Sequence, residues 1–113
     1  MSPSPIEFLK HIYEECIYLE KEYASNSFDE FTKNERLTRA VCRSLEIIGE
    51  ASNKINPSFK KSYPYIPWRE MGDIRNKIIH DYFGVDLDII WDVLKSDIPQ
   101  LKIEVEKILG ELL

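Results

Sequence analysis

The sequence predicts an all-α protein, an antiparallel bundle of four to five helices. Among its 113 residues are only four glycines and six prolines, and it contains no Asn-Gly or Asp-Gly pair, which argues against β-hairpins. Apolar residues recur at three- and four-residue steps along several segments, as they do on the buried side of a helix. The length fits one domain, which is predicted to span residues 1–113.

The first helix is predicted to begin after Ser4 and to end near Ala24. Ser4 suits the N-cap, Pro5 suits the first helical position, and Glu7 completes a capping-box pattern. A short connector with two aromatic anchors, Phe28–Phe31, is expected to follow. The residues predicted to face the core share one helical stripe: Ile6, Leu9, Ile12, Tyr13, Cys16, Ile17 and Tyr23.

The second helix is predicted to start from a capping box formed by Thr32 and Glu35 and to end near Ile55. Its core positions are Leu37, Val41, Leu45, Ile48 and Ile55. Gly49 costs this helix about 1 kcal/mol relative to alanine. The glycine therefore predicts the close approach of another backbone.

The opposite side of the second helix is polar. It carries Arg36, Arg39, Arg43, Glu46, Glu50 and Asn53. One interpretation is a solvated stripe in which Arg43 pairs with Glu46, and the other is that part of the stripe lines a functional cleft.

Residues 58–67 are predicted to form a loop, because a residue that precedes proline favours extended backbone. A third helix is predicted from Trp68 or Met71 to Phe83, with Gly84 at its C-cap.

Asp86 is the predicted N-cap of a fourth helix, Leu87–Lys95. A break or kink at residues 96–99 is expected to separate it from a fifth helix that reaches the end of the chain. The inward positions of these two helices are Leu87, Ile90, Trp91, Leu94, Ile98, Leu101, Val105, Ile108, Leu109 and Leu112.

The third helix has apolar residues on two sides. Met71, Ile74, Ile78 and Tyr82 form one stripe, whereas Ile79 and Phe83 form a second. A helix that is apolar on two sides is either central in its domain or contacts a partner. We expect the partner to be a second copy of the chain, which gives a homodimer.

Composition excludes several classes of protein. The net charge of −5 argues against a non-specific polyanion binder. No apolar run approaches the roughly 20 residues of a membrane span, and the start of the sequence lacks a secretion signal. A cytoplasmic protein is therefore predicted, with Cys16 and Cys42 reduced in the core. His11, His80 and the cysteines lack metal-ligand spacing, so neither a metal nor a cofactor is expected.

Arg75, Asn76 and His80 are the candidate chemical groups. Histidine exchanges protons near neutral pH, and arginine can bind two phosphate oxygens at once. The set suits metal-free RNA cleavage, in which His80 assists attack by the ribose 2′-hydroxyl and Arg75 stabilises phosphoryl charge. Arg75 and His80 are five residues apart, which places them about 140° apart around an ideal helix. One helix therefore does not bring both groups tightly to one phosphate, whereas two copies across a dimer axis could. A purely structural role for both residues is the alternative.

The pattern Arg75-x4-His80-x-Tyr82 resembles the R-x4-H-x-Y motif of HEPN-superfamily ribonuclease toxins, in particular the HepT-like family. Further stretches resemble that family from Glu35 onward. They are residues 45–51, Ile66-Pro67-Trp68, residues 80–86, and Trp91 followed by residues 97–101.

The resemblance implies an all-helical homodimer with its active site in the dimer cleft. It implies a metal-independent endoribonuclease, the toxin of a type VII-like toxin–antitoxin system. The antitoxin would be an MntA-like nucleotidyltransferase that transfers AMP to the motif tyrosine. Carried over to this sequence, Arg75 and His80 would be catalytic, Asn76 supporting, and Tyr82 the AMP acceptor. From its position we add Glu50 as a supporting residue of the cleft.

Two other hypotheses remain open. The acidic balance and the two-sided third helix also fit a non-catalytic subunit that docks a nucleotidyltransferase. A ligand-binding bundle that uses the aromatic side chains of Trp68, Tyr63 and Tyr65 is the third hypothesis.

Overall fold

A computed structural model describes residues 4–80 and 86–113, except for the side chains of Lys77, Ile79 and His80. In this part of the chain, seven α-helices and one π-helical turn are present and no strand occurs. They are α1 (Pro5–Ser25), α2 (Phe28–Lys33), α3 (Glu35–Lys54), α4 (Pro57–Ser62), α5 (Trp68–His80), α6 (Leu87–Asp92), the π-helical turn (Val93–Asp97) and α7 (Ile98–Leu112). The all-α prediction is confirmed, while the homodimer remains a prediction.

The core lies between the four long helices. α3 packs on α1 and on α5, and α1 also packs on α7. The fully buried side chains that join them are Leu9, Ile12, Cys16, Leu19, Val41, Ile78, Val105 and Ile108. Packing of these apolar stripes supplies most of the driving force for the bundle.

Two of the predicted N-caps are confirmed. The Ser4 hydroxyl accepts a hydrogen bond from the Glu7 amide at 3.4 Å, and α1 ends at Ser25. The Asp86 carboxylate accepts one from the Asp88 amide at 2.9 Å and starts α6. Side-chain oxygens thus bond amide groups that lack a partner within the helix.

The predicted connector after α1 is wrong, because Phe28 begins the short helix α2. Ser27 caps α2 and forms a reciprocal capping box with Glu30. The predicted Thr32 cap of the next helix is also wrong. α3 is instead capped by Asn34, whose side-chain oxygen accepts from the Leu37 amide at 3.1 Å.

Residues 58–67 are not a loop throughout, since α4 spans Pro57–Ser62. Asn56 caps this helix by accepting from the Phe59 amide at 2.8 Å, and Pro57 occupies its start. The Asn-Pro pair thus ends α3 and also begins a new helix.

The predicted break or kink at residues 96–99 is confirmed only in part. The chain does not leave the helix there, but the π-helical turn Val93–Asp97 interrupts the α-helical pattern between α6 and α7. Pro99, in the first turn of α7, has no amide hydrogen to donate to the preceding turn, and the Ile98 amide before it donates to the Val93 carbonyl, five residues back. The fourth predicted helix therefore ends as an α-helix at Asp92, before Lys95.

Among the described residues, most of the predicted core positions are buried or partly buried, but two are not. Ile17 is 45% exposed and Leu112 is 39% exposed, whereas Leu19, which was not predicted, is fully buried. Trp91 is partly buried in an aromatic cluster, where its ring stacks on Phe31 with centroids 4.7 Å apart.

None of the helices in the described parts of the chain is both long enough and apolar enough to span a membrane.

Candidate active site

Helix α5 carries Arg75 and Asn76 and ends at His80, and it is fixed at its first residue. The Trp68 indole nitrogen donates to the Tyr63 carbonyl at 3.0 Å, and the buried Ser52 hydroxyl of α3 donates to the Trp68 carbonyl at 3.3 Å. Met71 and Ile78 are buried against the core, as predicted. α5 is therefore held against α3 by its own apolar stripe and by hydrogen bonds at its start.

The predicted close approach at Gly49 is confirmed, and the neighbouring backbone is that of α5. A Cβ atom added to Gly49 would overlap the Arg75 Cβ and would lie 2.6 Å from the Met71 carbonyl oxygen. A second glycine, Gly72 of α5, lies against Asn53 of α3. Ser52 meets the start of α5 and Gly49 its middle, so the two helices run antiparallel.

Arg75 is partly buried, and the neighbouring residue holds its guanidinium group. Its Nη1 donates to the Oδ1 of Asn76 at 3.1 Å. The sequence-based hypothesis placed Asn76 beside His80, one turn further on. The structure shows that the amide oxygen of Asn76 is engaged by Arg75, so Asn76 can orient the guanidinium directly.

His80 is the last residue of α5, and its side chain lies outside the described part. On an ideal helix it is about 7.5 Å along the axis and about 140° around it from Arg75. Tyr82, Phe83 and Gly84 also lie outside the described residues, as does the side chain of Ile79. The second apolar strip and the AMP acceptor therefore stay predictions.

Glu50 lies on a different side of α3 from the residue that meets Arg75. It lines an open groove of about 280 Å³ together with Phe8 and His11 of α1 and with Arg43. Its carboxylate pairs with Lys54 at 3.6 Å. Gly49, one residue earlier, faces α5. One residue is about 100° of helix, so the structure does not bring Glu50 and Arg75 together.

The polar stripe of α3 is largely paired within its own helix. Arg43 bonds Glu46 at 3.2 Å, as predicted, and Arg39 bonds Glu35 at 2.7 Å. Both arginines are exposed, so these pairs add little stability. Each carboxylate offsets the positive charge that its arginine would present to an anionic partner.

A small apolar cavity of about 130 Å³ lies between α3, α5, the π-helical turn and α7. Ile48, Met71 and Leu101 are among its lining residues, with Glu70 and Asp97 as the polar members. The three aromatic residues of the ligand-binding hypothesis are not part of its lining. Trp68 is bonded to Tyr63, and Tyr65 is 48% exposed.

The two cysteines are buried and unlinked, which agrees with the expected reduced core residues. Burial raises the pKa of the Cys16 thiol to about 12, and burial likewise raises the pKa of Cys42. Over residues 4–80 and 86–113 no group of three or more His, Cys, Asp or Glu side chains is arranged to hold a metal ion.

Comparison with protein families identifies the family of the chain. The family model described as "Ribonuclease HepT-like" matches residues 12–108. The match begins within α1, includes the whole of α5 and ends within α7. The chain belongs to this family. The resemblance noted from the motif is thereby confirmed.

Individual relatives of the HepT-like chain match over most of their length. A protein of Caldanaerobacter subterraneus subsp. tengcongensis, named "Putative RNase", is 42% identical over 106 residues, 94% of this chain and 95% of the relative. A protein of Thermococcus cleftensis, named "Probable ribonuclease HepT", is 44% identical over 108 residues, 96% of this chain and 98% of the relative. No solved structure matches the chain significantly.

Proposed function

We propose that this HepT-like chain is a metal-independent endoribonuclease of the HEPN type and the toxin of a toxin–antitoxin pair. The observation that carries the proposal is the family match over residues 12–108, within which Arg75, His80 and Tyr82 complete the R-x4-H-x-Y motif. The names of the two relatives, both of which describe ribonucleases, support the reaction type.

In the proposed reaction, His80 takes the proton of a ribose 2′-hydroxyl. The 2′-oxygen attacks the adjacent phosphorus and the bond from phosphorus to the 5′-oxygen breaks. The leaving 5′-oxygen takes up a proton from water, which leaves a 2′,3′-cyclic phosphate and a 5′-hydroxyl, and His80 releases its proton to solvent. Arg75 donates hydrogen bonds to the phosphoryl oxygens while negative charge builds up on them. The hydrogen bond to Asn76 supports this role, because it orients the guanidinium before RNA arrives.

The active site is proposed to be shared by two copies of the chain. The separation of about 7.5 Å and 140° between positions 75 and 80 disfavours one helix presenting both groups to one phosphate. Pairing of two α5 helices about a twofold axis brings Arg75 of one subunit towards His80 of the other. Sedimentation analysis of the pure protein tests this, and a monomer that cleaves RNA at full rate contradicts it.

Control of the toxin is proposed to act on Tyr82. An MntA-like nucleotidyltransferase would transfer AMP to the phenol oxygen, which adds a bulky anionic phosphodiester beside the catalytic groups and repels the RNA backbone. Intact mass after co-expression with the partner detects the adduct, and Tyr82→Phe is expected to stay unmodified and toxic.

The decisive experiment compares RNA cleavage by the wild type, Arg75→Ala and His80→Ala. Arg69→Ala is the matched control, because Arg69 is an exposed arginine on the same helix, outside the motif. We expect loss of cleavage in the two motif variants, full cleavage by the control, and no effect of EDTA on the wild type. Folded Arg75→Ala and His80→Ala variants that cleave like the wild type contradict the assignment.

One observation favours a second candidate function. The net charge of −5 suits a subunit that docks a nucleotidyltransferase better than one that binds RNA. A purified wild type that forms a stable complex with the nucleotidyltransferase, but cleaves no RNA before or after removal of AMP, would support this alternative.

A further inference from the structure

We infer that Gly49 is a positioning residue for Arg75, an inference that rests on the proposed role of Arg75. Gly49 is on α3 and faces the point where the Arg75 side chain leaves α5. A Cβ at position 49 would overlap the Arg75 Cβ and would lie 3.1 Å from its Cγ and 2.6 Å from the Met71 carbonyl oxygen. Carbon atoms pack best at about 3.5–4.0 Å, so the stem of Arg75 occupies the space that a side chain would need.

The atoms that Gly49 accommodates cannot turn away. The Met71 oxygen belongs to the α5 backbone, and the Arg75 Cβ is bonded directly to it. A methyl group at position 49 therefore displaces α5 as a unit, by about 1 Å if ordinary contact distances are restored. Absence of a side chain at position 49 thus sets the distance of Arg75 from α3.

Gly72, the glycine on α5, differs from Gly49, because a methyl group added there would not displace a helix. A Cβ on Gly72 would meet the Oδ1 of Asn53 at 2.7 Å, with the other two amide atoms at 3.5 and 3.6 Å. Asn53 is exposed, so rotation of its side chain relieves the overlap without moving a helix. The two glycines of the same helix pair therefore differ in what a methyl group would move.

Two contacts hold the Arg75 side chain in place, one at its stem and one at its guanidinium group. The stem lies against Gly49, and Nη1 is bonded to Asn76. Asn76 is on α5 as well, so it moves with Arg75 and cannot correct a shift of that helix relative to α3. The close packing at Gly49 therefore sets where the Arg75 side chain lies relative to α3.

The kinetic test compares Gly49→Ala with Gly72→Ala and with Ile48→Val, a buried change one residue away on α3. A shift of about 1 Å in a catalytic group lowers rates by about 100-fold. For Gly49→Ala we expect kcat per folded molecule to fall by about 100-fold with little change in KM. For Gly72→Ala and Ile48→Val we expect kcat and KM close to those of the wild type. In an Arg75→Ala background, Gly49→Ala should add no further loss, because the two changes act through one group.

A second readout does not depend on RNA cleavage. In the NMR spectrum of the wild type we expect NOEs between the Gly49 Hα protons and the Arg75 Hβ protons. The backbone and Nε–H signals of Arg75 should shift in Gly49→Ala and stay in place in Gly72→Ala. The wild-type NOEs remain decisive even if Gly49→Ala does not fold.

Missing NOEs, or unmoved Arg75 signals in Gly49→Ala, overturn the inference. Wild-type kcat in Gly49→Ala, alongside an inactive Arg75→Ala, does so too. If Arg75→Ala itself cleaves like the wild type, the proposed function fails instead, and the NMR result still reports whether Gly49 places the Arg75 side chain.

Discussion

Raising the pH from 8 to 11 is expected to destabilise the folded chain through Cys16. This thiol lies on α1 with no exposed surface, and its pKa is raised from 9.0 to about 12. Burial is the main cause, the nearby Glu20 carboxylate adds to it, and Lys102 partly opposes it. Lys102 and Glu20 lie 3.4 Å apart, so each moderates the effect of the other.

The sign follows from which state holds the proton. Below pH 9 the thiol is protonated in both the folded and the unfolded chain, so the stabilisation is fully present. Between pH 9 and 12 the unfolded chain loses the proton while the folded chain keeps it, and the stabilisation falls. Each pH unit is worth about 1.36 kcal/mol, so about 2.7 kcal/mol of unfolding free energy is lost by pH 11.

Urea denaturation of the wild type and Cys16→Ala at pH 8 and 11 measures this loss. The variant is expected to be less stable at pH 8, because a buried sulfur is removed, but to lose about 2.7 kcal/mol less between the two pH values. Lysine and tyrosine titration affects both proteins equally and cancels in the difference. Equal losses in the two proteins would refute the assignment of the buried thiol.

Three further outcomes concern stability. Asn34→Ala is expected to cost about 1 kcal/mol through loss of the α3 cap, whereas Thr32→Ala should cost clearly less, and denaturation midpoints that rank the other way would restore the sequence-based cap. Phe31→Ala should lower the free energy of unfolding by about 3–5 kcal/mol, because this fully buried ring stacks on Trp91. A smaller loss in urea denaturation would mean that neighbouring side chains move into the space left by the ring. Gly110→Ala is expected to stabilise the protein by about 0.5–1 kcal/mol, because nothing lies within 4 Å of the added methyl, and a lower melting temperature would contradict this.

The long helices were predictable because their signals are local. The Ser4 and Asp86 caps and the apolar spacing of α3 depend on residues within one or two turns. The short helices α2 and α4 were missed for the same reason. Six residues give too little periodicity to separate a helix from a connector. Ser27 and Asn56 begin turns as readily as helices.

Burial at the edges of the stripes depends on neighbours that the sequence does not show. Ile17 is one residue from the buried Cys16, and about 100° of rotation takes it to the exposed side of α1. Leu112 has correct spacing but lies at the end of α7, where less of the bundle remains to cover it. Periodicity identifies a stripe but not its width.

The candidate site was predictable in its residues but not in its arrangement. The motif placed Arg75, Asn76 and His80 on one helix. The free-energy cost of a glycine inside a helix predicted the close approach at Gly49. That the approaching atoms belong to Arg75 depends on the packing of α5 on α3, which no local pattern encodes. Glu50 illustrates the same limit, because being next to Gly49 in sequence put it on the neighbouring side of the helix.

The bonded indole at the first residue of α5 gives the chain a built-in optical reporter. The sequence holds two tryptophans, and Trp91 lies in the separate aromatic cluster of Tyr23, Phe28 and Phe31. Replacing Trp91 with phenylalanine leaves Trp68 as the single source of tryptophan fluorescence. The fluorescence of Trp68 would then report movement at the start of α5 in real time, without an attached dye.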